Sequence, residues 1–318
     1  MQMGCKSRGA PVCVSSMNRV FLFFGAAACL ATSCLAAEPV RVSTFSTILT
    51  ELAEQIGGDR VAVHAHIPPG VDPHEFEPKP VDLKVVSESQ VILLSAKHME
   101  GYVGKLKEAT GTAGAVVQVG DQFPSLKLKP GDHDHGPIGV GDDSAVEDPH
   151  WWQSVAYVKR AAKVVRDALI TASPADKDLF TRNTDAYIAK LDALQKWVAA
   201  KVAELPRNKR KLVTSHDAFQ YFARENGFTI FPIEGISSGD EPSSKKVADI
   251  VKAVKSQGVK AIFPETIQNP KVLEEITKET GAKLGGELLS DGLGETPQTG
   301  TYEGMMKHNV STIVDALK

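Results

Sequence analysis

P-A-D-K-D-L-F-T-R-N-T-D-A-Y-I-A-K-L-D-A-L-Q-K-W-V-A-A-K-V-A-E-L, residues 174–205, decides the architecture. Pro174 suits the first turn of a helix, and Tyr187, Leu191, Leu194, Val198, Val202 and Leu205 follow at intervals of four, three, four, four and three. They form one apolar stripe on an otherwise polar surface. A helix of some thirty residues spans about 45 Å at 1.5 Å per residue, long enough to run past two domains. Pro206 ends it.

Short strands and helices alternate on both sides. Before the long helix, strands are expected at 40–45, 61–67, 91–94 and 115–119, and helices at 47–56, 81–88, 100–109 and 151–172. After it, strands fall at 211–215, 229–233 and 261–263, and helices at 218–226, 243–257, 271–280 and 302–317. This alternation implies an α/β fold of parallel sheets flanked by helices, in which ligands sit beyond the carboxyl ends of strands. Val61, Val63, Ala65 and Ile67 point one way along their strand, so His64 and His66 read as exposed polar positions rather than ligands.

The 318 residues favour about two domains. A net charge of −3, with residues 207–211 the one short basic run, argues against a nucleic-acid partner. Asn18-Arg19, an apolar run over 20–30 and small residues up to Ala36-Ala37 make residues 1–37 a secretory signal peptide. The apolar run is shorter than the roughly 20 residues of a membrane span. Met17 is a better start than Met1, and cleavage is expected near Ala36 or Ala37. Lipidation at Cys34 is the lesser alternative, because Ala31-Thr32-Ser33 is a poor lipobox. All four cysteines (Cys5, Cys13, Cys29, Cys34) lie in this leader, so no disulfide is expected and any metal site must use nitrogen and oxygen donors. Without the leader, 33 basic residues (36 less Lys6, Arg8 and Arg19) face 39 acidic ones, a net of −6.

Residues suited to binding recur after strands. Asp72-Pro73-His74 follows the break at Pro68-Pro69-Gly70, and a second Asp-Pro-His, at 148–150, closes a solvated loop over 131–148 that carries His133 and His135 among acidic residues. Asp148 and Pro149 read as a helix N-cap and first position, which puts His150 in a first turn where the helix dipole keeps its imidazole neutral. His216 directly follows the strand K-L-V-T-S, and Asp291 lies in L-L-S-D-G-L-G. His74, His150, His216 and Asp291 are 76, 66 and 75 residues apart in order. Each half supplies two, and three imidazoles with one carboxylate make a four-coordinate site suited to zinc.

H-I-P-P-G-V-D-P-H-E-F-E-P around His74, E-D-P-H-W around His150, T-S-H-D-A-F-Q-Y-F around His216 and S-D-G-L-G around Asp291 resemble the substrate-binding proteins (cluster A-I) of bacterial zinc and manganese ABC importers. The resemblance runs from about Glu38 to the C-terminus. It implies two α/β lobes, 38–172 and 206–318, joined by one long backbone helix over 173–205, with the metal in the cleft between them and only a small closing motion. It implies Zn(II) bound by His74, His150, His216 and Asp291, since the third ligand is histidine in zinc members and glutamate in many manganese ones; Mn(II) or Fe(II) in the same fold is the alternative. The acidic histidine loop is also a zinc-member feature, here reduced to His133 and His135. Glu265, in F-P-E-T, either orients a ligand from outside the coordination shell or is a helix-start carboxylate. The partner implied is a membrane permease with its cytoplasmic ATPase, and the protein is expected to be a periplasmic monomer and not an enzyme.

Other function classes find little support. A secreted zinc hydrolase needs an open coordination position and a general base. The chain has no H-E-x-x-H, and Glu75 beside His74 is the one candidate base. No G-x-x-x-x-G-K-[ST] occurs, and Gly292-Leu293-Gly294 is half a dinucleotide fingerprint.

Overall fold

Two four-stranded parallel sheets share one topology. In the computed structural model, which describes residues 38–111, 114–127, 147–236, 242–266 and 271–318, β1 (Val40–Thr44), β2 (Val61–Ala65), β3 (Val91–Leu94) and β4 (Ala115–Gln118) lie in the order β2-β1-β3-β4. The second sheet, β5 (Lys211–Thr214), β6 (Thr229–Pro232), β7 (Ala261–Phe263) and β8 (Lys283–Leu284), has the order β6-β5-β7-β8. Every pairing is parallel. The inner strands β3 (V-I-L-L) and β7 (A-I-F) are wholly buried, whereas the edge strand β2 is half exposed, as suits sheets covered on both faces. Residues 1–37 and the histidines His133 and His135 lie outside the described residues.

Helices cover the sheets, and their ends follow local chemistry. α1 (Thr47–Gly57) starts where Ser46 Oγ accepts the Ile48 N–H, buries Ile48, Leu49, Leu52 and Ile56, and stops at Gly58, whose φ of 55° suits glycine. α2 (Pro80–Glu88) begins on a proline. α3 (Val103–Thr110) starts three residues later than the pattern suggests. Glu100 is diverted: its buried carboxylate accepts the Ser95 and Ala96 N–H groups at 2.6 and 2.9 Å. That bonding closes a turn in which Ala96, Lys97 and His98 all have positive φ, a strained run for residues with a Cβ.

The expected long helix is α5 (Lys177–Ala203), entered through a 3₁₀ turn at Pro174–Asp176. Its buried stripe extends back to Phe180 and runs through Tyr187, Leu191, Leu194, Val198 and Val202. α4 (Val155–Ala172), α1 and α9 (Tyr302–Leu317) all pack on it. One hydrophobic cluster therefore spans both lobes, from Val40 and Leu52 through Leu191 to Phe263 and Ile313. Smaller clusters lie outboard, around Phe45 and Leu106 in the first lobe and around Ile250 and Leu273 in the second. The second sheet is covered by α6 (Gln220–Asn226), α7 (Ser244–Gln257) and α8 (Lys271–Thr280).

His66 departs from the expectation of exposure. β2 ends at Ala65, so strand alternation no longer governs the next residue. The ring turns inward, stacks on Phe45 with centroids 4.4 Å apart, and bonds to Asp82 Oδ1 and Ser43 Oγ at 3.1 and 3.0 Å. Burial lowers its pKa against the opposing pull of Asp82. It anchors the start of the 66–79 loop that carries His74.

Candidate metal centre

The two Asp-Pro-His triplets fold alike. Asp72 Oδ1 accepts the His74 N–H at 2.8 Å, and Asp148 Oδ1 accepts the His150 N–H at 2.9 Å. Each is an Asx turn, with the intervening proline fixing φ. Asp148 is thus not a helix N-cap: a 3₁₀ turn, Trp151–Gln153, follows, and α4 takes its own cap from Ser154. Asp148 Oδ1 also meets the His150 ring Nδ1 at 2.9 Å, which turns Nε2 toward the cleft. Trp151 keeps this turn in place, donating its indole N–H to Ser95 O at 3.0 Å in the strained 95–100 segment.

His216 stands two residues beyond β5, a central strand, at the point where the strand order reverses. Glu265, just past β7, holds it twice. Oε1 accepts the His216 N–H at 3.1 Å and Oε2 lies 2.5 Å from the ring Nδ1. Asp291 comes from the long segment between β8 and α9. Ser290 Oγ donates to its Oδ2 at 2.7 Å.

All four sequence candidates converge. One donor atom from each of His74, His150, His216 and Asp291 lies within 4.8 Å of every other. His150 Nε2 is 3.2 Å from His74 Nε2, 3.4 Å from His216 Nε2 and 3.3 Å from Asp291 Oδ1. Asp291 closes the figure, with Oδ1 at 3.4 Å from His74 Nε2 and Oδ2 at 3.5 Å from His216 Nε2. Four donors about 2.0–2.1 Å from a tetrahedral zinc would lie roughly 3.3–3.4 Å apart. His150 and His216 are fully buried, Asp291 nearly so, and His74 is the most open of the four. A cavity of about 440 Å³ between the lobes reaches Asp291, lined in part by Pro69, Val71, Leu293 and Glu295.

The charges around the donors favour a cation. Burial alone would lower the His150 pKa, but hydrogen bonds and charge from Asp148 and Asp291 outweigh it and push it up to about 9. The expected α-helix N-terminus does not sit beneath His150; the carboxylates of Asp148 and Asp291 do. For His216 burial is likewise outweighed, by Glu265 and Asp291, and its pKa stands well above the usual imidazole value. Burial would raise the Asp291 carboxyl, yet the His216 charge and the surrounding imidazoles hold it well below the usual carboxylate range. Asp217, missed by sequence reasoning although it adjoins His216, is pushed up to about 7 by burial and by the Asp148 charge.

Known proteins resemble this chain in sequence and in fold. Residues 42–316 match the family model described as ZnuA, zinc-uptake complex component A periplasmic. The chain is 32% identical over 287 residues to the manganese-binding lipoprotein MntA of Bacillus subtilis strain 168, covering 88% of this chain and 90% of that one. It is 31% identical over 286 residues to the zinc-binding protein TroA of Treponema pallidum, covering 88% and 89%. The solved structure of periplasmic zinc-binding TroA from that organism superposes with a TM-score of 0.78 at 29% identity, covering 88% of this chain and 99% of the other.

Proposed function

The chain belongs to the family of periplasmic zinc-uptake component A proteins, and from that premise we propose that it captures Zn(II) outside the cytoplasm and delivers it to an ABC permease. The observation that carries this is the convergence of four donors, three of them on buried residues, at 3.2 to 3.5 Å from their neighbours. Nothing is turned over, since four protein donors fill a tetrahedral shell and leave no position for an activated water. ATP hydrolysis belongs to the permease's cytoplasmic partner.

His74, His150, His216 and Asp291 are the ligands in this reading. Asp148 and Glu265 hold two imidazoles through Nδ1, which fixes the tautomer that presents Nε2 and raises its basicity. The lobes divide as 38–172 and 206–318, with 173–205 as the connecting spine. Residues 1–37 act as the secretory signal, with lipidation at Cys34 as the variant arrangement.

Zinc is favoured over manganese by the donor set, because three imidazoles leave one carboxylate as the oxygen source and manganese prefers oxygen. Manganese remains the second reading, supported by the likeness to MntA. Native mass spectrometry with competing Zn(II) and Mn(II), run on the mature protein and on His216→Glu, separates them. One bound zinc that manganese does not displace, with a shift toward manganese in the variant, is expected. Manganese preference in the wild type would overturn the zinc assignment.

A further inference from the structure

Asp291 belongs by sequence to the second lobe, yet side chains of the first lobe hold it in place. The segment Leu288-Leu289-Ser290 leading to it is gripped residue by residue. Leu288 pairs with the β7 end, its N–H donating to Pro264 O at 2.8 Å and its carbonyl accepting the Thr266 N–H at 3.1 Å. Leu289 is bonded at both ends of its peptide by Asn309 of α9, at 2.9 and 2.7 Å. Ser290 O then receives two donors from across the lobe boundary, Trp152 Nε1–H and Gln153 Nε2–H, each at 2.7 Å. Gln153 also reaches Leu289 O at 3.3 Å; both of its partners are carbonyls, so its amide nitrogen must face them. Trp152 and Gln153 are each 1% exposed and lie two and three residues after His150, so the second ligand and the fourth are fastened together through one short turn.

We infer that Trp152 and Gln153 are specificity-determining positioning residues, which fix Asp291 at the spacing a small tetrahedral ion requires. The inference rests on the metal-site reading proposed above. The grip fixes the backbone from which the carboxylate projects, and the Ser290 Oγ bond to Oδ2 restrains its rotation, so it resists the shifts that would let both oxygens chelate or admit water. Both adjustments serve an ion that takes more oxygen donors, as manganese does, more than they serve zinc. Ser290 Oγ, bonded to Asp291 Oδ2, is the last link of the same clamp.

The test is the ratio of Zn(II) to Mn(II) affinity of the mature full-length protein, with the melting temperature of the metal-free form measured alongside. Gln153→Met keeps the volume and removes the donor; zinc affinity should fall on the order of tenfold, as for other groups that support ligands, while manganese affinity holds or rises. Trp152→Phe should act in the same direction. Leu273→Ala, in the outboard cluster of the second lobe, should lower the melting temperature and leave the ratio alone. An unchanged ratio in folded Gln153→Met or Trp152→Phe overturns the inference. Ser290→Ala deletes one oxygen, and an unchanged ratio there overturns it too. Asp291→Ala separates the two levels. If Asp291→Ala binds zinc as the wild type does, the site assignment itself fails; if it loses zinc while the clamp variants keep the wild-type ratio, only the present inference fails.

Discussion

β1 and β5 hold the same place in their sheets, each flanked by the strands at which the order reverses, but the residues that follow them do different things. After β5, His216 enters the cleft with Glu265, just past the neighbouring strand β7, behind it. After β1, Ser46 caps α1 and Phe45 packs against His66; neither belongs to the donor cluster. The first lobe instead sends His74 and His150 from two Asx turns farther along the chain. A repeated sheet thus supplies equivalent positions, and the turn chemistry after each strand decides which of them carries a donor.

Removing the donor after β5 should have the largest effect. His216→Ala is expected to lose roughly a quarter of the 10–16 kcal/mol of a structural zinc site, on the order of a hundredfold or several hundredfold in affinity. Isothermal titration with Zn(II) reads this, and retention of wild-type affinity would erase the contrast between the two strands. The supporting carboxylates come next. Asp148→Asn and Glu265→Gln should each weaken zinc binding by about 10–100-fold. Glu265→Gln should be the more damaging, because Glu265 also holds the His216 backbone; the reverse order would show that the turn matters more than the strand end.

Protonation adds an effect that grows with the distance below the imidazole pKa. In the metal-free protein the His150 pKa is about 9 and that of His216 is raised, so protons occupy nitrogens that the metal needs. Affinity should be complete only above about pH 9 and decline as pH falls through that value, by roughly tenfold per unit for each proton displaced. Titrations between about pH 9 and pH 7 check the sign, and a flat profile would show that the rings are neutral before metal arrives. The smallest effect belongs to the strand without a donor: Ser46→Ala should cost about 1 kcal/mol of fold stability by thermal unfolding and leave metal affinity intact.

Much of this was legible in the sequence because it is local. The α5 stripe, β3, and the residues that follow β5 each declare themselves within a few positions, and the four donors stand in motifs that survive without a structure. His150 was misplaced because Asp-Pro serves equally as a helix start and as an Asx turn; only the Asp148–imidazole contact distinguishes them. His66 was misplaced because period-two reasoning stops where the strand stops. The clamp on Asp291 left no trace, since Trp152 and Gln153 bond to a carbonyl 138 and 137 residues away and any peptide can accept. Asn309 looked like one more helix residue until the chain brought Leu289 beside it.

The apolar cluster running unbroken from α1 through α5 to α9 sets how cargo can leave. Prising the halves apart would wet that whole seam, a penalty of about 25 cal/mol for every Å² exposed. The receptor therefore retains its ion by stiffness rather than by wrapping around it. Freeing one loop, such as the one that carries His74, would leave that seam dry, whereas parting the lobes would not.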